Sequence, residues 1–123
     1  MPNIIVDYSA NLVETLDPTA LARALHQAAV NCGTFPITGI RVFCRAHENF
    51  AVGHGDRDEA FVQIQVRIAP GRAEELKREI AAALFQAAEH ALAASFSAGP
   101  LGLQLEISEF VEALTFQRNT MAK

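Results

Sequence analysis

Hydrophobic and polar residues alternate at period two in four separate stretches of this chain, the mark of strands whose two faces meet different surroundings. In the first, Ile4, Val6 and Tyr8 alternate with Asn3, Ile5 and Asp7; in the second, Ile40, Val42 and Cys44 alternate with Arg41, Phe43 and Arg45. The third is the clearest: across AFVQIQVRI, Val62, Ile64, Val66 and Ile68 point one way and Gln63, Gln65 and Arg67 the other. Leu103, Leu105 and Ile107 against Gln104, Glu106 and Ser108 make the fourth.

Two helical patterns lie between these strands. Asp17-Pro18 has the form of an N-cap followed by proline at the first helical position, and Leu21, Leu25 and Ala28 recur at helical spacing until Gly33 supplies a stop. After the third strand, APGR leads into Leu76, Ile80, Leu84, Ala87 and Ala91, and this second helix runs toward the breaker Gly99-Pro100. The order strand, helix, strand occurs twice, each time in a unit of the size of a right-handed βαβ crossover. The expected fold is α/β: a double βαβ unit with one four-stranded sheet and two helices on its apolar face, in a single domain over residues 1–123. The other face would carry Gln63, Gln65, Arg67, Arg41 and Arg45 together with Ile5 and Phe43. A half-apolar face left bare invites association, so the pattern predicts a homo-oligomer.

Composition narrows the function. A chain of 123 residues, half of them hydrophobic, can remove about two-thirds of its unfolded surface from water. It has no signal-peptide pattern at its start and no run approaching the ~20 apolar residues that span a bilayer, so the expectation is a cytoplasmic protein without a membrane partner. A net charge of −4, with no basic run and few aromatics, argues against nucleic acid. An anionic ligand would have to be met by a few locally placed cations. Cys32 and Cys44 read as reduced thiols. His54, Asp56, Asp58 and Glu59 in HGDRDE, like His47 and Glu48, read as polar loop residues, and no metal or cofactor is expected.

The proline directly behind Met1, GTFPITGIR ending at Arg41, EAFVQIQVRIAPGR ending at Arg72 and LTFQRN near the C-terminus follow one another over nearly the whole chain. In that ordered set the sequence resembles the 5-carboxymethyl-2-hydroxymuconate isomerase family of the tautomerase superfamily. The resemblance implies a homotrimer in which Pro2, freed by removal of Met1, is the catalytic base, and Arg41 and Arg72 hold the carboxylates of a small-molecule substrate. It further implies a cofactor-independent keto-enol tautomerase acting on 5-carboxymethyl-2-hydroxymuconate in homoprotocatechuate breakdown. Pro70 ahead of Gly71-Arg72, and Gln117-Arg118-Asn119, depart from the family pattern and bear on the shape of the pocket. Phe116 and Asn119 are assigned first to packing and second to the pocket.

The chemistry has a physical reason to use these residues. A free α-amino group titrates near ~7.7–8.0, and both desolvation and neighbouring arginines disfavour its charged form. A neutral amine at working pH is a competent general base, and the proline ring fixes the direction of its nitrogen. Two rival readings share the fold: another tautomerase-type enzyme, such as a hydratase or dehalogenase, or a non-catalytic oligomeric ligand-binding protein. A retained Met1 would favour the latter, because an amide nitrogen has no basic lone pair.

Overall fold

The alternating stretches become strands: in the computed structural model, which describes residues 1–121, β1 (Asn3–Ser9), β2 (Arg41–His47), β3 (Ala60–Ile68) and β4 (Leu101–Glu109) form one sheet in the order β2-β1-β3-β4. β1 runs parallel to β2 and β3 parallel to β4, while the two central strands β1 and β3 are antiparallel. Helix α1 (Pro18–Asn31) makes the first crossover, and α2 (Glu74–Ala91) with the short α3 (Ala93–Ala98) makes the second. The expected architecture of two βαβ units and four strands is the one observed.

Helix α1 starts where the sequence signals it. The Asp17 carboxylate accepts hydrogen bonds from the amides of Thr19 and Ala20 at 3.0 and 3.1 Å, and Pro18 occupies the first helical position without losing a bond. Gly33, just past the end, has a φ of +72°, a conformation that side chains resist.

Both helices pack on one face of the sheet. Ile4, Val6, Val62, Ile64, Val66 and Ile68 are fully buried there against Leu21, Leu25, Ala29, Ile80, Leu84 and Ala88. Each such large side chain contributes about 1.5–3 kcal/mol relative to exposure. The buried stripes step by four residues, so Ala29 and Ala88 take the places that the periodicity assigned to Ala28 and Ala87, which are half-buried, and Ala91 is exposed. Ridges along the i, i+4 rows account for that shift. The second helix also departs from expectation by breaking at Leu92, which adopts φ −97° and ψ 12°. The bend keeps Leu92 and Ser95 in the interior, where Ser95 Oγ lies 2.9 Å from Thr15 Oγ1, while the chain turns toward β4.

Among the described residues no helix layer covers the opposite face of the sheet, although the C-terminal tail borders it at one end. That face carries Ile5, Phe43 and the polar residues that the alternation placed there, with Phe43 40% exposed. After β4 the chain continues past the end of β3, with the amide of Phe110 donating to Ile68 O at 2.9 Å. It then crosses to the turn before β2, where Asn119 Nδ2 donates to Thr38 O at 2.9 Å. Among the described residues, no helix is long and apolar enough to cross a membrane.

Candidate active site

The antiparallel pairing of β1 with β3 decides which residues share an end of the sheet. It brings the starts of β1 and β2 together with the end of β3, and the turn that follows β3 carries Arg72. Pro2, just ahead of β1, is fully buried, and its carbonyl accepts a hydrogen bond from the amide of Arg41 at 3.1 Å. Proline suits this place because the ladder asks it only for an acceptor.

Pro2, Arg41 and Arg72 are thus gathered at one end of the molecule. The α-amino group there, carried by Met1, is held below its ordinary value of 8.0, first by partial burial, then by the charge of Arg72 and then by that of Arg41. Both arginines lie close enough to raise the cost of a positive charge at the chain start. Met1 packs on buried Gly39, where a Cβ would stand 3.3 Å from Met1 Cγ, so glycine leaves the room that the first residue fills.

The two arginines are held differently. Arg72 follows Gly71, whose φ of +115° turns the chain inward after β3. Its Nε donates to Thr34 Oγ1 at 3.0 Å, Nη2 to Thr34 O at 3.0 Å and Nη1 to Ala69 O at 3.3 Å. The guanidinium also lies 4.8 Å from the centre of the buried Phe35 ring. Three of its five N–H groups are therefore engaged, which fixes the fork and leaves two donors for a ligand. Thr34 and Phe35 were legible only as part of a motif; nothing in their spacing marked them as the cradle of Arg72. Beside Arg72, the first turn of α2 carries Glu74 and Glu75, whose negative charge suits the positive end of that helix.

Arg41 is exposed and held loosely, with Nη2 3.3 Å from the Met1 sulfur, a weak acceptor. It lines a recess of about 210 Å³ together with Met1, Asn3, Arg67, Phe110 and Phe116. Arg72 does not line this recess, but its charge reaches the α-amino group of Met1 at the recess wall. Phe116 reaches the recess wall while remaining 92% exposed, and Asn119 anchors the tail rather than lining the cavity. Arg67 and Asn3 are additions to the sequence reading: alternation put them on the face of Arg41, but only the strand register sets both arginines beside Asn3.

The other polar clusters behave differently. Glu59 gathers His54 Nδ1 at 2.7 Å and the His54 amide at 2.7 Å, so its carboxylate organises the loop. The open groove of about 420 Å³ between α1 and β2 contains Cys44, but burial and the charge of Asp7 push that thiol up, away from nucleophilic character.

The model of the 5-carboxymethyl-2-hydroxymuconate isomerase family matches residues 2–123. The chain is 29% identical over 121 residues, 98% of its length and 96% of the relative's, to the 5-carboxymethyl-2-hydroxymuconate Delta-isomerase of Escherichia coli. It is 34% identical to the solved 5-carboxymethyl-2-hydroxymuconate isomerase of Deinococcus radiodurans R1, with a TM-score of 0.89 over 97% of this chain and 90% of that one. A fused 4-OT described as a symmetric trimer shares the fold, with a TM-score of 0.64 at 22% identity over 87% of this chain and 85% of that one. An α/β sheet of tautomerase type, matched by sequence over its whole length to isomerases, places this chain in the 5-carboxymethyl-2-hydroxymuconate isomerase family.

Proposed function

We propose that this protein is a cofactor-independent keto-enol tautomerase that uses the imino nitrogen of Pro2, exposed by removal of Met1, as its general base. The observation that carries the reading is the amine environment at the chain start: partly desolvated and flanked by Arg72 and Arg41. The nitrogen of Pro2 stands one residue further in, in the same surroundings. Met1 forms one wall of the recess, and its removal would expose the Pro2 nitrogen beside that wall.

The substrate is 5-carboxymethyl-2-hydroxymuconate, the compound that names the family, and the pathway is homoprotocatechuate breakdown. Neutral Pro2 takes the proton of the 2-hydroxyl; the C2–O bond becomes a carbonyl, the double bonds shift along the diene, and the far diene carbon takes a proton back from the imino group. Atoms and charge balance without a co-reactant. Arg72, rigidly held by Thr34 and Ala69, and Arg41, freed from the Met1 sulfur, bind carboxylates and stabilise the negative charge that spreads over the dienolate. The functional unit is a homotrimer located in the cytoplasm; the uncovered face bearing Ile5 and Phe43, and the exposed Val111 and Leu114 of the tail, support self-association.

Mass spectrometry of the protein purified from cells, followed by NMR titration of its terminal nitrogen, tests the base. The expected result is Pro2 as first residue with a pKa below the usual α-amine range. A retained Met1 would leave a ligand-binding protein on the same fold. Assays of the muconate beside phenylenolpyruvate and halogenated acrylates test the substrate, and turnover of only the latter two would overturn it.

A further inference from the structure

The recess beside Pro2 contains a second cation that the carboxylate-binding pair does not use. Arg67, next to last in β3, lies directly across from Asn3, and Arg41 begins β2 on the other side of the same residue. By the spacing of neighbouring strands, the two arginine backbones lie roughly 10 Å apart. Both side chains line the recess. Elsewhere Arg45 pairs with Asp7 and Arg78 with Glu74, and Arg72 is held by the neutral acceptors of Thr34 and Ala69, whereas Arg23, Arg57 and Arg118 do not line this recess. Arg67 makes no side-chain hydrogen bond or ion pair with any described residue. Asn3 between them adds no counter-charge, and its Oδ1 is buried without a hydrogen-bond partner among the described residues. Two like charges facing one cavity over a neutral amide are unfavourable until an anion enters.

We propose that Arg67 is a substrate-contacting specificity residue that binds a third carboxylate, so that Arg41, Arg72 and Arg67 together select a tricarboxylate over a dicarboxylate. This rests on the functional reading above and deepens it. A muconate carries two carboxylates and its carboxymethyl branch a third, matching the three guanidiniums around the chain start. The apolar walls Phe110 and Phe116 of the recess suit the hydrocarbon between those carboxylates.

The test compares wild type, Arg67→Gln and Arg67→Lys with 5-carboxymethyl-2-hydroxymuconate and with 2-hydroxymuconate, which lacks the branch. Arg67 is exposed, so both variants should fold, and thermal melts check this. The expected result is a KM for the tricarboxylate raised about 10–100-fold in Arg67→Gln, as loss of a charged hydrogen bond predicts. That loss should exceed the loss on the dicarboxylate by at least about tenfold, with kcat changing less than KM and Arg67→Lys recovering part of the affinity. Equal losses on the two substrates, or none, overturn the inference while leaving the isomerase reading intact. A parallel calorimetric arm uses the unreactive probes tricarballylate and glutarate. If wild type turns over neither muconate, the functional reading fails. Arg67 then stands only if wild type prefers tricarballylate and Arg67→Gln abolishes that preference; equal binding of the two probes by wild type overturns it.

Discussion

Arg41 and Arg45 stand four residues apart on the same face of β2, and β1 places Asn3 beside the first and Asp7 beside the second. At the far end, Asp7 accepts Arg45 Nε at 2.9 Å and Nη2 at 3.1 Å, and lies 2.7 Å from His47 Nε2. At the near end the amide of Asn3 offers no charge, and Arg41 meets only a thioether. The strands, spacing and exposure are alike; the counter-charge differs. An arginine beside a carboxylate is already neutralised and belongs to the scaffold, whereas an arginine beside an amide keeps its field for the chain start and for an incoming anion.

That comparison can be tested by exchanging the features of the two ends. The largest effect concerns the group that only the near end possesses: Pro2→Ala, with Met1 removed, should lower kcat by about 10²- to 10⁴-fold, the usual range for a positioned general base, without changing the oligomeric mass. An unchanged kcat would remove the reason for treating that end as special. Next, Asn3→Asp imports the far-end arrangement by setting a carboxylate between Arg41 and Arg67. It should reduce kcat/KM by about 10–100-fold, the scale of one lost charged hydrogen bond.

The same variant carries a pH signature. Burial, Arg72 and Arg41 hold the Met1 α-amine below 8.0, and once Met1 is removed the same surroundings should act on the Pro2 nitrogen, whose neutral form is the active one, so wild-type kcat/KM should fall as pH drops through its depressed value. A nearby anion favours the protonated amine, so Asn3→Asp should move this limb to higher pH. A limb that stays put would show that the charge at position 3 does not reach the base.

A smaller effect is expected from Thr34→Val, which removes the hydroxyl that accepts from Arg72 Nε. KM should rise about 3–10-fold, in line with one hydrogen bond, with kcat nearly retained. Smallest is Asp7→Asn at the far end. It should leave kcat and KM unchanged and lower the melting temperature only slightly at neutral pH, because exposed ion pairs contribute little. The pairing with Arg45 and His47 holds the Asp7 carboxyl below its usual 3.8. Its stabilisation is thus complete above that value and lost as pH falls through the folded-state value, where wild type and Asp7→Asn should converge.

Much of this molecule was legible before folding was considered. Alternation at period two identified the strands because one face of the sheet is packed and the other is not, and the Asp17-Pro18 start and Gly33 stop bounded α1 because each satisfies a backbone requirement locally. The break at Leu92 was not legible, since nothing in ALAASF interrupts a helical pattern and the bend answers to the burial of Leu92 and Ser95. Pro2, Arg41 and Arg72 were named through family likeness; composition and spacing alone said only that any anion must be met by local cations.

What the chain determined by itself was which side chains share a face, because that depends on neighbours one or two residues away. What tertiary structure decided was which faces and ends meet. The antiparallel register of β1 and β3 is set by packing over the whole sheet, and it alone brings Arg67 across from Asn3 and the Arg72 turn to the first residues of the chain. The compensation of Arg45 and the availability of Arg41 follow from that same register, since a charge has its chemical character only once its neighbour in space is known.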